Sequence, residues 1–282
     1  MSQAFVTRFA PSPTGRLHRG HAFSALTAWT AAMEAGGRFL LRIEDIDAER
    51  CRPEYEAAIY EDLIWLGLDW EEPVRRQSEH LSDYQAALER LAAEGLVYRC
   101  FRTRKEVAQA IASAPHGPSG DGLALTAGPL HPHEEDRFLE EDRPFAWRLS
   151  MAAARAALGP RWEALSYEEA GGGRLAVDPA SGGDVVLGRK GLGVAYHLAV
   201  VVDDALQGVT HVIRGEDLIE AVPVQRLLQE LLGLPEPAYR HHGLILDQEG
   251  RRFAKRRGGE TLSDLRAAGV DPAALRGELG FR

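Results

Sequence analysis

The stretch AFVTRFAPSPTGRLHRGH, residues 4 to 21, constrains the fold more than any other part of the chain. Its first seven residues are apolar-rich and alternating, which predicts a buried strand, and PSPTG then breaks that strand with a turn. Residues 21 to 35, HAFSALTAWTAAMEA, carry apolar side chains at helical spacing and stop at Gly36 and Gly37, after which RFLLRIE reads as a second strand. Strand, glycine-bearing loop, helix and strand make a βαβ unit. The start of its helix is an anion site, because the first N–H groups have no internal partner and the macrodipole places positive potential there. His18 and His21 stand at that junction with Gly20 between them. Side chains three apart share a helical face, so both imidazoles can donate to phosphate oxygens as charge builds on them, and Gly20 lets a ligand come close.

The rest of the chain reads as a nucleotide-binding core with an interruption. Pro53 to Leu66 and Leu81 to Glu94 are predicted amphipathic helices ending at Gly67 and Gly95. Between about 112 and 144 the composition turns to Pro, Gly, His and acidic residues without apolar periodicity, which predicts a loop-rich insertion. FAWRLS is strand-like, residues 171 to 193 are glycine-dense, and order returns with YHLAVVVDDALQG and VTHVIRGEDL. The expected division is 1–98 for the first half of the core, 99–188 for a smaller inserted α+β domain, and 189–282 for the second half. The 27 residues that follow Lys255 are too few for another independent domain.

A formal net charge of −9 argues against a protein that coats nucleic acid through a basic surface. Positive charge is instead clustered in RCFRTRK, 99 to 105, and RRFAKRR, 251 to 257, and such patches can hold phosphates on an acidic body. No apolar run reaches the roughly 18 residues of a membrane span, and the N-terminus lacks the pattern of a signal peptide, so a soluble cytoplasmic protein is expected. Cys51 and Cys100 have no cysteine partner at ligand spacing and are expected to be packed thiols.

The run RFAPSPTGRLHRGH, with LLRIEDID some twenty residues on, resembles the catalytic core of class I glutamyl-tRNA synthetases, where HxGH is the first ATP signature. The second signature, a lysine loop, has its counterpart in RFAKR at 252 to 256, with Lys255 in the place of the second lysine and Arg252 in that of the first. The resemblance implies a Rossmann core, ATP with Mg2+ as substrate, and His18, Gly20, His21 and Lys255 as the ATP-binding set, with the two histidines and Lys255 catalytic. It also implies a glutamate pocket formed by Arg8, Ala10, Ser12, Glu44, Tyr196 and Arg214. Glu44 suits the α-ammonium and the two arginines suit the two carboxylates, in either assignment. Asp45 and Asp47 read as ordinary surface acids. Asp203, Asp204 and GED at 215 to 217 match the family run without a role, although Gly215 could admit a ribose closely.

A complete glutamyl-tRNA synthetase continues into a large helical portion, and the closer likeness is to its stand-alone catalytic-core paralogues, the glutamyl-Q tRNA(Asp) synthetases. That family activates L-glutamate without tRNA and transfers it to the queuosine base in the anticodon loop of tRNA-Asp. A monomer off the membrane is expected. Many such paralogues bind zinc through two cysteines one residue apart, whereas CFRTRKEV here has Cys100 alone, so zinc is not expected; His116, His131 and His133 are scattered in a loop. Two other enzymes remain open, a truncated or discriminating synthetase that charges the tRNA 3′ end and a small HxGH nucleotidyltransferase, and an RNA-binding relic is the non-enzymatic alternative.

Overall fold

The computed structural model describes residues 4–102, 106, 128–190, 193–245 and 260–281. The chain divides into two compact units, one made of Met1–His80, Gly208–Ile219 and Pro237–Arg282, the other of Leu81–Gln207 and Glu220–Glu236.

The first unit is built on the expected βαβ start. Strand β1, Val6–Phe9, pairs in parallel with β2, Arg38–Ile43, which pairs in parallel with β3, Glu71–Arg76. Helix α1, Arg19–Glu34, connects the first two strands, and α2, Pro53–Trp65, connects the second and third. All four residues of β1 are buried, as parallel strands covered by helices require. Small side chains let α1 lie close to the sheet: Ala22, Ala25, Ala28 and Ala32 are buried on it. The helix ends at Gly36 in the left-handed region (φ 60°), and Gly37 passes so near the preceding strand that a Cβ there would stand 2.3 Å from the Phe5 carbonyl oxygen. Pro53 opens α2 and Glu54 and Glu56 fill its first turn, where the macrodipole favours acids.

A further parallel pair, His211–Gly215 with Ala238–His242, belongs to the same unit. Thr210, just before it, ties it to β1: its N–H donates to the Val6 carbonyl (2.9 Å) and its Oγ1 accepts from the Val6 N–H (2.8 Å). Two short helices, Leu262–Ala267 and Pro272–Glu278, complete the unit. They are core elements rather than an appendage, because Leu262, Leu265 and Leu275 are buried in one cluster with Phe9, Leu17, Leu26, Leu41, Ile59 and Leu63.

The second unit contains an antiparallel sheet of Val97–Cys100, Ala146–Leu149, Val186–Arg189 and Gly193–Val194, and a hairpin of Ser166–Glu169 with Gly173–Ala176. Its helices Leu81–Ala93 and Tyr196–Leu206 share a buried polar contact, in which the Tyr84 hydroxyl donates to both carboxylate oxygens of Asp203 (2.8 and 2.9 Å). Asp184 plays a similar part beside the sheet, accepting from the Tyr98 hydroxyl (2.7 Å) and the Met151 N–H (2.9 Å). Burial and this carboxylate raise the Tyr98 hydroxyl well above the usual phenol range.

The segment expected to be loop-rich, 112 to 144, needs a correction in its described part. Pro132–Glu140 is a helix, opened by Pro132 and favoured by Glu134 and Glu135 in its first turn. None of its residues is fully buried, and only Phe138 and Leu139 supply large apolar side chains, Phe138 meeting Phe101 at 5.3 Å, which is too short a pattern for a periodicity search to find. His116 and the lysine-loop residues 252 to 256 lie outside the described residues.

Candidate functional site

The start of α1 is closed by two histidines that cap each other's turn. His18 is the N-cap residue, in extended conformation (φ −132°, ψ 176°), and its Nδ1 accepts from the Gly20 N–H at 3.1 Å. In return the His18 N–H donates to His21 Nδ1, also at 3.1 Å. This is the geometry of a capping box, with imidazoles in place of the usual hydroxyl and carboxamide. An Nδ1 that accepts carries no proton, so each neutral ring has its proton on Nε2 and presents Nε2–H as a donor. The rings lie with centroids 3.8 Å apart. Gly20 is required by the same fold-over, since a Cβ there would stand 3.0 Å from His18 Cε1 and 3.2 Å from Nδ1.

The residues from Glu260 onward are fastened to this helix start. Thr261 forms an isolated antiparallel bridge with His18, and the Leu262 N–H donates to the Leu17 carbonyl at 2.9 Å. Arg16 donates to Ser263 Oγ (2.9 Å), and Arg19 pairs with Glu278 (2.6 Å). Ser263 Oγ in turn lies 3.3 Å from Asp62 on α2, and Arg266 is 3.6 Å from the same carboxylate. Asp62 is fully buried, and desolvation pushes its carboxyl up to about 6 against the opposing pull of Arg266, Ser263 and Arg16.

The other predicted residues of this unit stand where its parallel strands end, the edge at which open α/β sheets bind ligands. Arg8 is the third residue of β1 and faces Leu40 in register; Leu40 and Arg42, two apart, point to the same side of β2. Glu44 follows the last residue of β2, and its N–H donates to the Pro11 carbonyl at 3.1 Å, which brings the loop of Ala10 and Ser12 beside it. Ser12 is exposed and Ala10 half-buried. Arg214 is the fourth residue of His211–Gly215, and its register partner is His241. A Cβ at Gly215 would stand 2.5 Å from Asp217 Oδ1 and 3.0 Å from Leu244 Cδ2, so a side chain there requires both of these side chains to shift.

Three buried guanidinium groups and one buried carboxylate mark this edge. Arg8 is 5% exposed, Arg42 0%, Arg214 4% and Glu44 8%. Apart from Asp62, no other charged side chain is buried among the described residues of this unit. Arg42 donates from Nη2 to Glu44 Oε1 (3.1 Å), which pairs the two buried side chains with each other. Arg42 was visible in LLRIE, two residues before Glu44, yet only the pleat shows that the two share a face. His242 joins the same strand end to α1: its Nε2 is 3.1 Å from Ser24 Oγ and its ring meets Phe23 edge-on at 5.1 Å. Two neighbouring histidines in YRHHG, closing a strand before a glycine, are the signal that the sequence offers.

The first unit therefore holds Arg8, Ala10, Ser12, His18, Gly20, His21, Glu44 and Arg214, while Tyr196 opens the helix Tyr196–Leu206 in the second. Asp45 and Asp47 serve the backbone and a surface pair: Asp45 accepts from the Ser78 N–H (2.8 Å) and Oγ (2.6 Å), and Asp47 from Arg50 Nε (2.6 Å). Cys100 is buried and Cys51 half-buried, with burial pushing the Cys51 thiol up. His131 and His133 stack on each other at 5.4 Å. Among the described residues no helix is long and apolar enough to cross a membrane.

Comparison with known proteins places this geometry. Residues 4–281 match the family described as tRNA synthetases class I (E and Q), catalytic domain. A glutamyl-Q tRNA(Asp) synthetase of Rhodobacter capsulatus is 48% identical over 290 residues, which cover 98% of this chain and 100% of that protein. A glutamate–tRNA ligase of Aquifex aeolicus is 39% identical over 274 residues, covering 95% of this chain and 55% of the ligase. The crystal structure of a glutamate tRNA ligase from Elizabethkingia meningosepticum, in complex with its amino acid, superposes with a TM-score of 0.78 at 28% identity, covering 98% of this chain and 60% of that one.

Proposed function

Because the chain belongs to the catalytic-domain family of the class I tRNA synthetases for glutamate and glutamine, a family of ligases that use ATP with Mg2+, we propose that it activates L-glutamate without tRNA and passes it to the queuosine base of tRNA-Asp. The reaction begins with attack of the glutamate α-carboxylate on the α-phosphorus of ATP, forming glutamyl-adenylate and releasing pyrophosphate. A hydroxyl of the modified base then attacks the activated carbonyl, and AMP leaves.

One observation carries the substrate class: Arg8, Arg42, Arg214 and Glu44 are buried at the strand ends of the unit that also holds the His18–His21 helix start. Guanidinium groups in a dry site suit a ligand with two carboxylates, and Glu44 suits its ammonium. His18 and His21 offer Nε2–H donors to the phosphates, and Gly20 and the helix start add backbone N–H groups. Lys255 would neutralise the departing pyrophosphate, and Ala10 and Ser12 would line the glutamate site. The role of Tyr196 rests on family resemblance alone, as does that of residues 99–188 as an acceptor-binding insertion and the cytoplasmic, monomeric state.

The choice of acceptor rests on the Rhodobacter relative, which is matched along its whole length at higher identity than the glutamate–tRNA ligase. The test is glutamate-dependent ATP–pyrophosphate exchange with and without tRNA, followed by glutamate transfer to tRNA-Asp with and without queuosine. Exchange without tRNA and labelling of only the queuosine-containing tRNA are expected. Exchange that needs tRNA, or equal labelling of both tRNAs, would overturn the reading and favour charging of the 3′ end.

A further inference from the structure

Arg214 does not stand alone at its strand end. Its Nε donates to Nε2 of His241 at 3.2 Å, across the parallel pair in which the two residues are register partners. His241 is backed in turn by Tyr239, two residues earlier on the same strand and 1% exposed; the rings are nearly parallel, 8° apart in plane with centroids at 6.0 Å. The guanidinium carbon of Arg214 lies 5.3 Å from the centre of the Tyr239 ring. One hydrogen bond and one cation–π contact thus fix the plane of the guanidinium from the neighbouring strand.

The contact also dictates chemistry. An imidazole nitrogen that accepts from an arginine carries no proton, so His241 holds its proton on Nδ1 in this arrangement. A guanidinium meets a carboxylate bidentately in two ways, through Nε with one Nη or through both Nη atoms. With Nε committed to His241, only the second remains. From this geometry we propose that His241 is a positioning residue for glutamate recognition: it turns the two Nη atoms of Arg214 toward a substrate carboxylate and makes specificity depend on an acceptor at the His241 Nε2 position. The proposal rests on the glutamate-activation reading and deepens it.

Two polar replacements separate this role from mere packing. In His241→Gln the side-chain oxygen can occupy the place of Nε2 and accept from Arg214. In His241→Asn the acceptor sits nearer the backbone, in the place of Nδ1, and cannot reach. Steady-state ATP–pyrophosphate exchange, with glutamate and ATP varied in turn, is the measurement. The Asn variant is expected to raise KM for glutamate about tenfold, which corresponds to about 1.4 kcal/mol, with KM for ATP within about twofold of the parent. The Gln variant is expected to recover glutamate KM to within about threefold. An unchanged glutamate KM in the Asn variant overturns the proposal, and so does equal loss in both variants or a matching rise in KM for ATP. A parent protein that exchanges with no glutamate dependence instead overturns the activation reading itself, so the two failures are distinguishable.

Discussion

His18 and His21 each accept a backbone N–H of the α1 start through Nδ1, so the two rings proposed to meet the phosphates also cap the helix. On that proposal, stability and ligand donation are carried by different nitrogens of the same side chains. His18→Asn keeps a good capping acceptor while removing the Nε2–H donor, and it should leave the melting temperature near that of the parent. Glutamate-dependent exchange should fall by about 10²-fold, the usual consequence of losing one donor to developing charge. His18→Ala should show the same activity loss plus about 1 kcal/mol of destabilisation in urea unfolding. An Asn variant as unstable as the Ala variant would mean that the imidazole does not cap the helix.

Gly20→Ala should disturb the cap. Its Cβ would press on the His18 ring at 3.0 to 3.2 Å, so the ring must shift by a few tenths of an ångström, against its hydrogen bond from the Gly20 N–H. Activity should therefore fall further than stability, with KM for ATP rising. Normal ATP kinetics in this variant would refute the packing argument.

The Arg42–Glu44 pair predicts strong non-additivity. Arg42→Met strands a buried carboxylate and should cost on the order of 3 to 5 kcal/mol, whereas the double variant with Glu44→Gln should regain a large part of that loss. On the proposed role of Glu44 as acceptor for the substrate ammonium, both should also fail to respond to glutamate. Denaturant midpoints of the four proteins in the cycle test this, and additive single effects would contradict it.

Asp62 predicts a pH signature. Its carboxyl is raised from 3.8 to about 6 in the folded chain, chiefly by burial. The folded state thus binds the proton more tightly than the unfolded state. The resulting stabilisation is fully present below pH 3.8 and fades as pH rises through about 6, a swing on the order of 2 to 3 kcal/mol. Asp62→Asn should abolish that component. The stability of the parent relative to this variant, taken from urea midpoints between pH 4 and 7, should decline with pH; a flat difference would show that Asp62 does not titrate in this range.

The βαβ start is legible in the sequence because its signals are local. The helical spacing of 21–35, the glycines that end it and the apolar runs on either side each act within a few residues, and the strands and helix fall where those patterns put them. His18, Gly20 and His21 can be named from the same local runs, and Glu44 from the family resemblance. Their partners cannot. Arg214 meets His241 only because two strands 27 residues apart pair in one register, and Asp62 meets Ser263 across 201 residues. No periodicity encodes such pairs. The helix Pro132–Glu140 is hidden for a different reason, since with Phe138 and Leu139 as its only large apolar side chains it leaves too short an apolar trace.

The burial of Leu262, Leu265 and Leu275 in the core that also takes Leu17 and Leu26 has a consequence for how the molecule forms. A ribosome must deliver the last helices before the loop made near the start of synthesis can be closed, for Leu262 supplies the hydrogen bond to Leu17 and Thr261 the bridge to His18. Val6 likewise waits for Thr210, 204 residues later. Contacts so distant in sequence slow folding. The first unit thus cannot close its core until residues 261 to 275 have been made.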